Sequence, residues 1–331
     1  MITMRKCLKS FVIAVFLGLL LPGLVFSVVD KIYLETSRVN DFLETEEPTL
    51  ETVEVLGLTQ RIPVQKSEGS IEYINIDEYL VGVVLGEMPA SFHEEALKAQ
   101  AIVARTYTLK RITNGQKHPQ GAVCTTSSCC QAYQSLDDFF ENGGTENNLN
   151  KVIAAVNSTS DQVLYYDDVL IEATYFSCSG GRTEDALAVW GADIPYLQSV
   201  DSPGEEGAAY YTDFVQFSAD EISALLGINV EGSSSEWFGE TTYTEGGGVE
   251  KIEIANKVYT GIELREKLGL RSTAFTITPV GDTIYITTRG FGHRVGMSQY
   301  GADAMALNGS SYQEILSHYY PGTELGFYSN N

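Results

Sequence analysis

Positive charge is scarce in this sequence. Lys and Arg number 21 against 44 Asp and Glu, a formal net charge of −23 at pH 7. Nucleic acid is bound by basic surfaces, so this balance excludes it as the expected partner. The acidity fits a soluble, self-repelling exterior and by itself identifies no substrate. Cysteine is sparse as well: Cys7, Cys124, Cys129, Cys130 and Cys178 are the full set. No His and Asp stand at a recognisable triad spacing from Ser177, which argues against a serine nucleophile there.

What is present reads as a globular protein. The chain has 331 residues, 44% hydrophobic and 20% charged, enough for one large domain or two ordinary ones. Arg5, Lys6 and Lys9 precede an uncharged apolar run from Phe11 to Val29. Roughly 20 such residues span a bilayer as a helix, and Pro22 is tolerable in one. The expectation is a cytoplasmic N-terminus (1–10), a transmembrane anchor (11–29) and everything beyond on the far side. A cleaved signal peptide is the alternative, although Val25-Phe26-Ser27-Val28-Val29 offers no good small-x-small site. Residues 30–64, with Glu44-Thr45-Glu46-Glu47-Pro48, read as an acidic spacer.

The centre of interest is Glu87, in Val84-Leu85-Gly86-Glu87-Met88-Pro89-Ala90. Desolvation among apolar neighbours can raise a carboxyl's pKa enough to keep its proton, which is what a general acid needs. Pro89 ends the segment that carries it. Ser91 and Glu94 have the spacing of a capping box, opening a helix over 92–111 rich in alanine. Lys98 and Arg105 lie two turns apart on one face of it. From spacing alone they read as ordinary structural charges.

His118, Cys124, Cys129 and Cys130 follow in one loop as H-x5-C-x4-C-C. This donor set suits a structural, tetrahedral Zn2+. Disulfides are the competing reading, with Cys178 able to take a leftover thiol. Further along, a strand is expected at Ile71–Ile76, a helix at Asn150–Ser158, and a hairpin of Gln162–Tyr166 with Val169–Ser177 across an Asp167-Asp168 turn. Helices are expected at Ser218–Leu226 and Ile262–Leu268, and 204–270 reads as a lobe inserted in the domain. A strand at Asp282–Thr288 leads into Arg289-Gly290-Phe291-Gly292-His293-Arg294-Val295-Gly296-Met297-Ser298-Gln299-Tyr300-Gly301. Its glycines permit close backbone approach, and His293 alone reads as a structural histidine. Ser298 caps a helix from Gln299 to about Leu307, and Ser311 with Glu314 opens a terminal one stopped at Pro321-Gly322.

Several of these stretches resemble the stage II sporulation protein D family. They are Gly86-Glu87-Met88-Pro89 with Glu95-Ala96-Leu97-Lys98 and Ala104-Arg105-Thr106, the Tyr175-x-Ser177-x-Ser179-x-Gly181-x-Thr183 turn, and the Gly290-to-Ala302 run. The resemblance covers most of the chain beyond about residue 65. It implies a peptidoglycan lytic transglycosylase of engulfment, anchored in the membrane of the sporulating cell. Such an enzyme would cleave the MurNAc–GlcNAc bond of peptide-denuded strands, leaving 1,6-anhydro ends. Glu87 would be the single acid and then base, because the sugar's C6 hydroxyl attacks and no second carboxylate is needed, unlike most hydrolases. Lys98 and Arg105 would orient substrate; Tyr175, Ser177, His293 and Gln299 would line the cleft. The implied partners are glycan strands, the amidase (stage II sporulation protein P) and the membrane scaffold (stage II sporulation protein M). A non-catalytic activator of an amidase is the alternative. A zinc hydrolase is disfavoured, because four protein ligands leave no open position for water. The fold expected is α+β: a mixed, mostly antiparallel sheet core with packed helices in one large extracytoplasmic domain (65–331), preceded by one transmembrane helix.

Overall fold

The computed structural model describes residues 60–114 and 117–329. The expected N-terminus (1–10), the anchor (11–29) and nearly all of the spacer lie outside the described residues. The single-pass membrane location is corrected: among the described residues no helix is long and apolar enough to cross a membrane. The spacer is also shorter than expected, since Arg61–Gln65 already forms a strand.

The fold is α+β. In chain order the strands are β1 (Arg61–Gln65), β2 (Ile71–Asn75), β3 (Val123–Cys124), β4 (Gln162–Tyr166), β5 (Val169–Leu170), β6 (Tyr175–Phe176), β7 (Thr212–Ser218), β8 (Phe238–Tyr243), β9 (Val249–Ile254), β10 (Lys257–Thr260), β11 (Phe275–Val280), β12 (Thr283–Arg289), β13 (Met297–Ser298) and β14 (Glu324–Phe327). They do not make one sheet core. Among the described residues they form small sheets ordered β2-β1-β3, β10-β9-β8, β11-β12-β7, β13-β6 and β14-β4-β5. Pairing is antiparallel except for β1 with β3 and β13 with β6.

Helices fill the space that a large sheet would have taken. Glu94–Asn114 is the central one, packed against the helices Ile76–Glu87, Glu146–Ser158, Gln299–Leu307 and Tyr312–Tyr319 and against β4. Its alanines 96, 99, 101 and 104 are buried, so neighbours can approach from several sides. Its start differs from expectation. Phe92 N–H bonds Pro89 O at 2.9 Å, which places Ser91 in a turn outside the helix. His93 caps instead, its Nδ1 accepting from Glu95 N at 3.3 Å.

Helix Ile76–Glu87 begins where β2 stops, because the Asn75 side chain accepts from Asp77 N at 2.9 Å. It is apolar nearly all round and buried nearly all round. Asp77 and Glu78 suit its positive N-terminal end. Met88 is extended, as a residue before proline must be, so Glu87 is the last helical residue.

Two apolar cores result. One spans Ile62 to Leu197 and Val295 to Tyr320; the other is built from residues between Ile222 and Ile286. The hairpin of β4 and β5 turns on Asp167 and Asp168, with φ of 48° and 62°, the left-handed pair of a type I′ turn. The expected continuous strand to Ser177 breaks after Leu170; β6 leaves to pair with β13. Capping boxes at Ser218–Glu221, Thr260–Glu263 and Ser311–Glu314 fix the starts of three helices.

Candidate active site

Two cavities, of about 710 and 450 Å³, meet at Glu87. Gly86, Glu87, Ser177, Tyr210 and Gln299 line both. Together they form a cleft through the carboxyl group, and Glu87 is the acidic side chain on either wall.

The first wall comes from the end of helix Ile76–Glu87 and the segment after the His/Cys loop. Ala132 N–H donates to Glu87 Oε1 at 2.5 Å. This bond depends on Gly86: a Cβ there would stand 2.8 Å from Tyr133 N and 2.9 Å from Ala132 C. Gln134 N–H adds a bond to Gly82 O at 2.9 Å, so residues 131–134 run tightly along this glycine face. Gly86→Ala should cost about 1–3 kcal/mol through overpacking and pull the amide away from Glu87. Denaturant titration and a turnover assay check this; an unchanged midpoint and rate would mean that residues 131–134 yield freely.

The second wall is made by the two remote motifs. β6 pairs in parallel with β13, setting Tyr175 against Met297 and Phe176 against Ser298. Close approach requires Gly296, where φ is 85° and a Cβ would lie 2.0 Å from Thr174 O. Glu205, buried, fastens the join. Its Oε2 accepts from Ser179 N at 3.0 Å and Gly180 N at 2.9 Å, and its Oε1 accepts from the Ser202 and Ser298 hydroxyls. Arg294 does the same from the other side, giving hydrogen bonds to Ser179 O (2.8 Å) and Gly246 O (2.7 Å) and pairing with Glu184 at 3.2 Å.

Burial is the main influence on Glu87 and pushes its pKa up; hydrogen bonds from Ala132, Tyr175 and Gln299 pull the other way without cancelling it. Tyr175 is held by its hydroxyl donating to Gln131 Oε1 at 3.0 Å, and Gln131 Nε2 in turn donates to Thr108 Oγ1 at 2.8 Å. Ser177 lines both cavities, while its carbonyl accepts from Tyr300 N at 3.0 Å. His293 lines the larger cavity with its ring against Phe176 and Trp190. Burial lowers its pKa to about 4, so it is neutral at pH 7. Its Nδ1 accepts from Val295 N at 3.1 Å, which assigns the proton to Nε2.

Lys98 and Arg105 do not reach the cleft. Lys98 pairs with Glu95 at 2.6 Å, and Glu95 in turn accepts from Tyr312 N at 2.8 Å. Arg105 is buried in the core, paired with Asp77 at 3.0 Å and bonded to the carbonyls of Thr159 (2.8 Å) and Val156 (3.3 Å) at the end of helix Glu146–Ser158. The Ala132 amide, Glu205, Arg111 and Tyr210 belong to the site or its supports without being expected there. The Gly82-x-x-x-Gly86 spacing was the available signal for the first of these.

The His118, Cys124, Cys129 and Cys130 donor atoms lie within 4.8 Å of one another. His118 Nε2 is 3.3 Å from Cys129 Sγ and 3.5 Å from Cys130 Sγ. Tetrahedral zinc with ordinary bond lengths separates such ligands by about 3.5 Å, so the set fits a metal ion. Cys178 belongs elsewhere: its thiol faces Glu205 Oε2 at 3.4 Å. Cys130 and Ser127 line the cleft, and the chain passes from Cys130 directly to Gln131 and Ala132.

Residues 64–166 match the family model described as stage II sporulation protein. Stage II sporulation protein D of Bacillus subtilis (strain 168) is 42% identical over 270 residues, 80% of this chain and 78% of the relative. The protein of that name from Bacillus amyloliquefaciens is 41% identical over 285 residues, 84% of this chain and 81% of the relative. A protein named amidase enhancer, from Bacillus subtilis (strain 168), is 30% identical over 302 residues, 75% of this chain and 40% of the relative. Identity at this level over most of both chains settles kinship: the chain belongs to the stage II sporulation protein D family.

Proposed function

We propose that this protein is a lytic transglycosylase of cell-wall glycan, cleaving the MurNAc–GlcNAc bond of peptide-denuded strands to leave 1,6-anhydro ends. The observation that carries the reading is the single carboxyl group at the junction of two cavities. A strand laid through both would bring its glycosidic oxygen to Glu87. Glycosidases that activate water need a second carboxyl several ångströms away, and among the described residues neither wall supplies one. A reaction in which the sugar's own C6 hydroxyl attacks has no such need.

Glu87 begins protonated, which burial favours. Its proton passes to the leaving oxygen as the glycosidic bond breaks. The carboxylate so formed is stabilised by the Ala132 amide, whose hydrogen bond favours the charged form. It then takes the proton of the C6 hydroxyl as that oxygen closes on C1. Neutral His293, Ser177, Tyr210 and Phe291 offer hydrogen bonds and stacking faces to the sugars. An amidase that strips stem peptides would act upstream and supply the substrate.

Mass spectrometry of products from peptide-free strands tests this. Anhydro-muramic ends are the expected result; reducing ends carrying added water would overturn it. The likeness to an amidase enhancer favours one other reading, a wall-binding activator. Strands bound without any product, together with stimulated amidase turnover, would support that instead.

The His/Cys cluster we assign to structural zinc held by His118, Cys124, Cys129 and Cys130. A bound ion would staple the loop that leads to the Ala132 amide. Chelation should therefore lower the melting temperature and release about one equivalent of metal. Metal-free protein that melts unchanged would refute the assignment.

A further inference from the structure

Among the described residues the cleft carries one cation. Among the residues that line its two cavities, Arg111 is the basic side chain, as Glu87 is the acidic one. With Glu87 protonated the lining is therefore positive, in a chain whose net charge is −23.

Arg111 stands in the last turn of helix Glu94–Asn114. Its guanidinium sits over the Tyr107 ring, 4.8 Å from the centroid, and Tyr107 lines the same cavity. Stacking of this kind fixes the plane of the fork. Glu172 accepts from Arg111 Nη2 and lies 3.8 Å from Lys110 Nζ. Two cations thus share one carboxylate, and a positive charge is left over. The Arg111 side chain remains 38% exposed, on the cleft side of the pair. A planar fork with spare donors, facing a cavity, matches a carboxylate better than a neutral hydroxyl.

We propose that Arg111, with Tyr107 and Ser127, forms a carboxylate subsite that takes the lactyl carboxylate of a muramic acid residue freed of its stem peptide. The inference rests on the glycan reading of the cleft. In an intact strand this carboxyl is tied up as an uncharged amide; hydrolysis of that amide exposes the anion. The subsite would thereby admit stripped strands in preference to unstripped ones through charge.

The test uses the full chain with Glu87→Gln, so that binding is read without turnover, and end-labelled peptide-free strands of two kinds. One kind keeps its free carboxylates; the other has them coupled to methylamine. Fluorescence anisotropy gives the dissociation constants. Arg111→Gln should weaken binding of the carboxylate strands about tenfold and leave the methylamide strands unchanged. Added salt should weaken carboxylate binding in the parent and less so in the variant. Equal losses for both strands, or no loss for either, would overturn the subsite while leaving the glycan reading intact. Strands that fail to bind the parent at all would sink both. Should Arg111→Gln melt early through lost Glu172 pairing, Arg111→Lys keeps the charge; it should show a reduced preference for the carboxylate strands, and an undiminished one would also overturn the inference.

Discussion

Glu87→Gln is expected to reduce strand cleavage by at least about a thousandfold while leaving the fold intact. General acid–base groups typically contribute 10²–10⁴-fold, about the whole of that range when one group serves both steps. Glutamine keeps the shape and can still accept from Ala132 N–H, but it cannot give or take the proton. The pH dependence has a definite sign. The folded Glu87 pKa lies above its ordinary value, so activity should fall as pH rises through that raised value, where the acid is lost. Stability moves in the same direction. Between the ordinary and the raised pKa the folded state holds a proton that the unfolded chain has released, so folding weakens as pH rises through the window. Glu87→Gln has no such proton to lose and should be as stable as the parent at neutral pH, or more so. Turnover against pH and thermal melting of both proteins check the two halves. A variant that still cleaves would remove Glu87 from the mechanism.

Arg105→Ala is expected to destabilise the protein by about 3–5 kcal/mol, because it strands Asp77 as an unpaired buried charge. It would also take one hydrogen bond each from the carbonyls of Val156 and Thr159. Denaturant titration gives the size; a loss below about 1 kcal/mol would mean that water reaches the site. Replacing both partners, as in Arg105→Met with Asp77→Leu, should recover much of the loss. Wherever Arg105→Ala is folded, its turnover number should match the parent. A selective fall in turnover would restore Arg105 to the substrate.

These two residues show why one part of the site was legible in the sequence and another was not. Glu87 announces itself because its chain neighbours are apolar, although the groups around its carboxyl, Ala132, Tyr175 and Gln299, come from remote segments. The His118–Cys130 cluster is readable because all its donors lie within one loop. Lys98 and Arg105 share a helix face by spacing, yet a helix enclosed on most sides has no single inward face for periodicity to reveal. Lys98 pairs locally with Glu95 on its own helix, whereas only a tertiary partner, Asp77, marks Arg105 as the buried charge. Ser91 misled because capping-box spacing does not register the Pro89–Phe92 turn that takes it out of the helix. Glu205 lies in the 204–270 stretch, which carries no motif, and its partners are scattered from Ser179 to Ser298. The α+β class and elements such as Gln162–Tyr166 and Gln299–Leu307 followed from local signals, whereas the helix Ile76–Glu87 that carries the acid did not. Nor did the split into several small sheets, since pairing such as β6 with β13 joins residues more than a hundred positions apart.

That last pairing has a consequence for the protein while it is being made. Synthesis runs from the N-terminus, so Glu87, the His/Cys loop and the Ala132 amide all leave the ribosome as one early block. Tyr175 follows without its partner, because Met297 and Gln299 come only after the whole second core. An unfinished chain thus has one wall and no cleft, and its first core still waits for Val295 to Tyr320. A chain that ends anywhere before residue 297 lacks β13, and with it the strand that seats Tyr175.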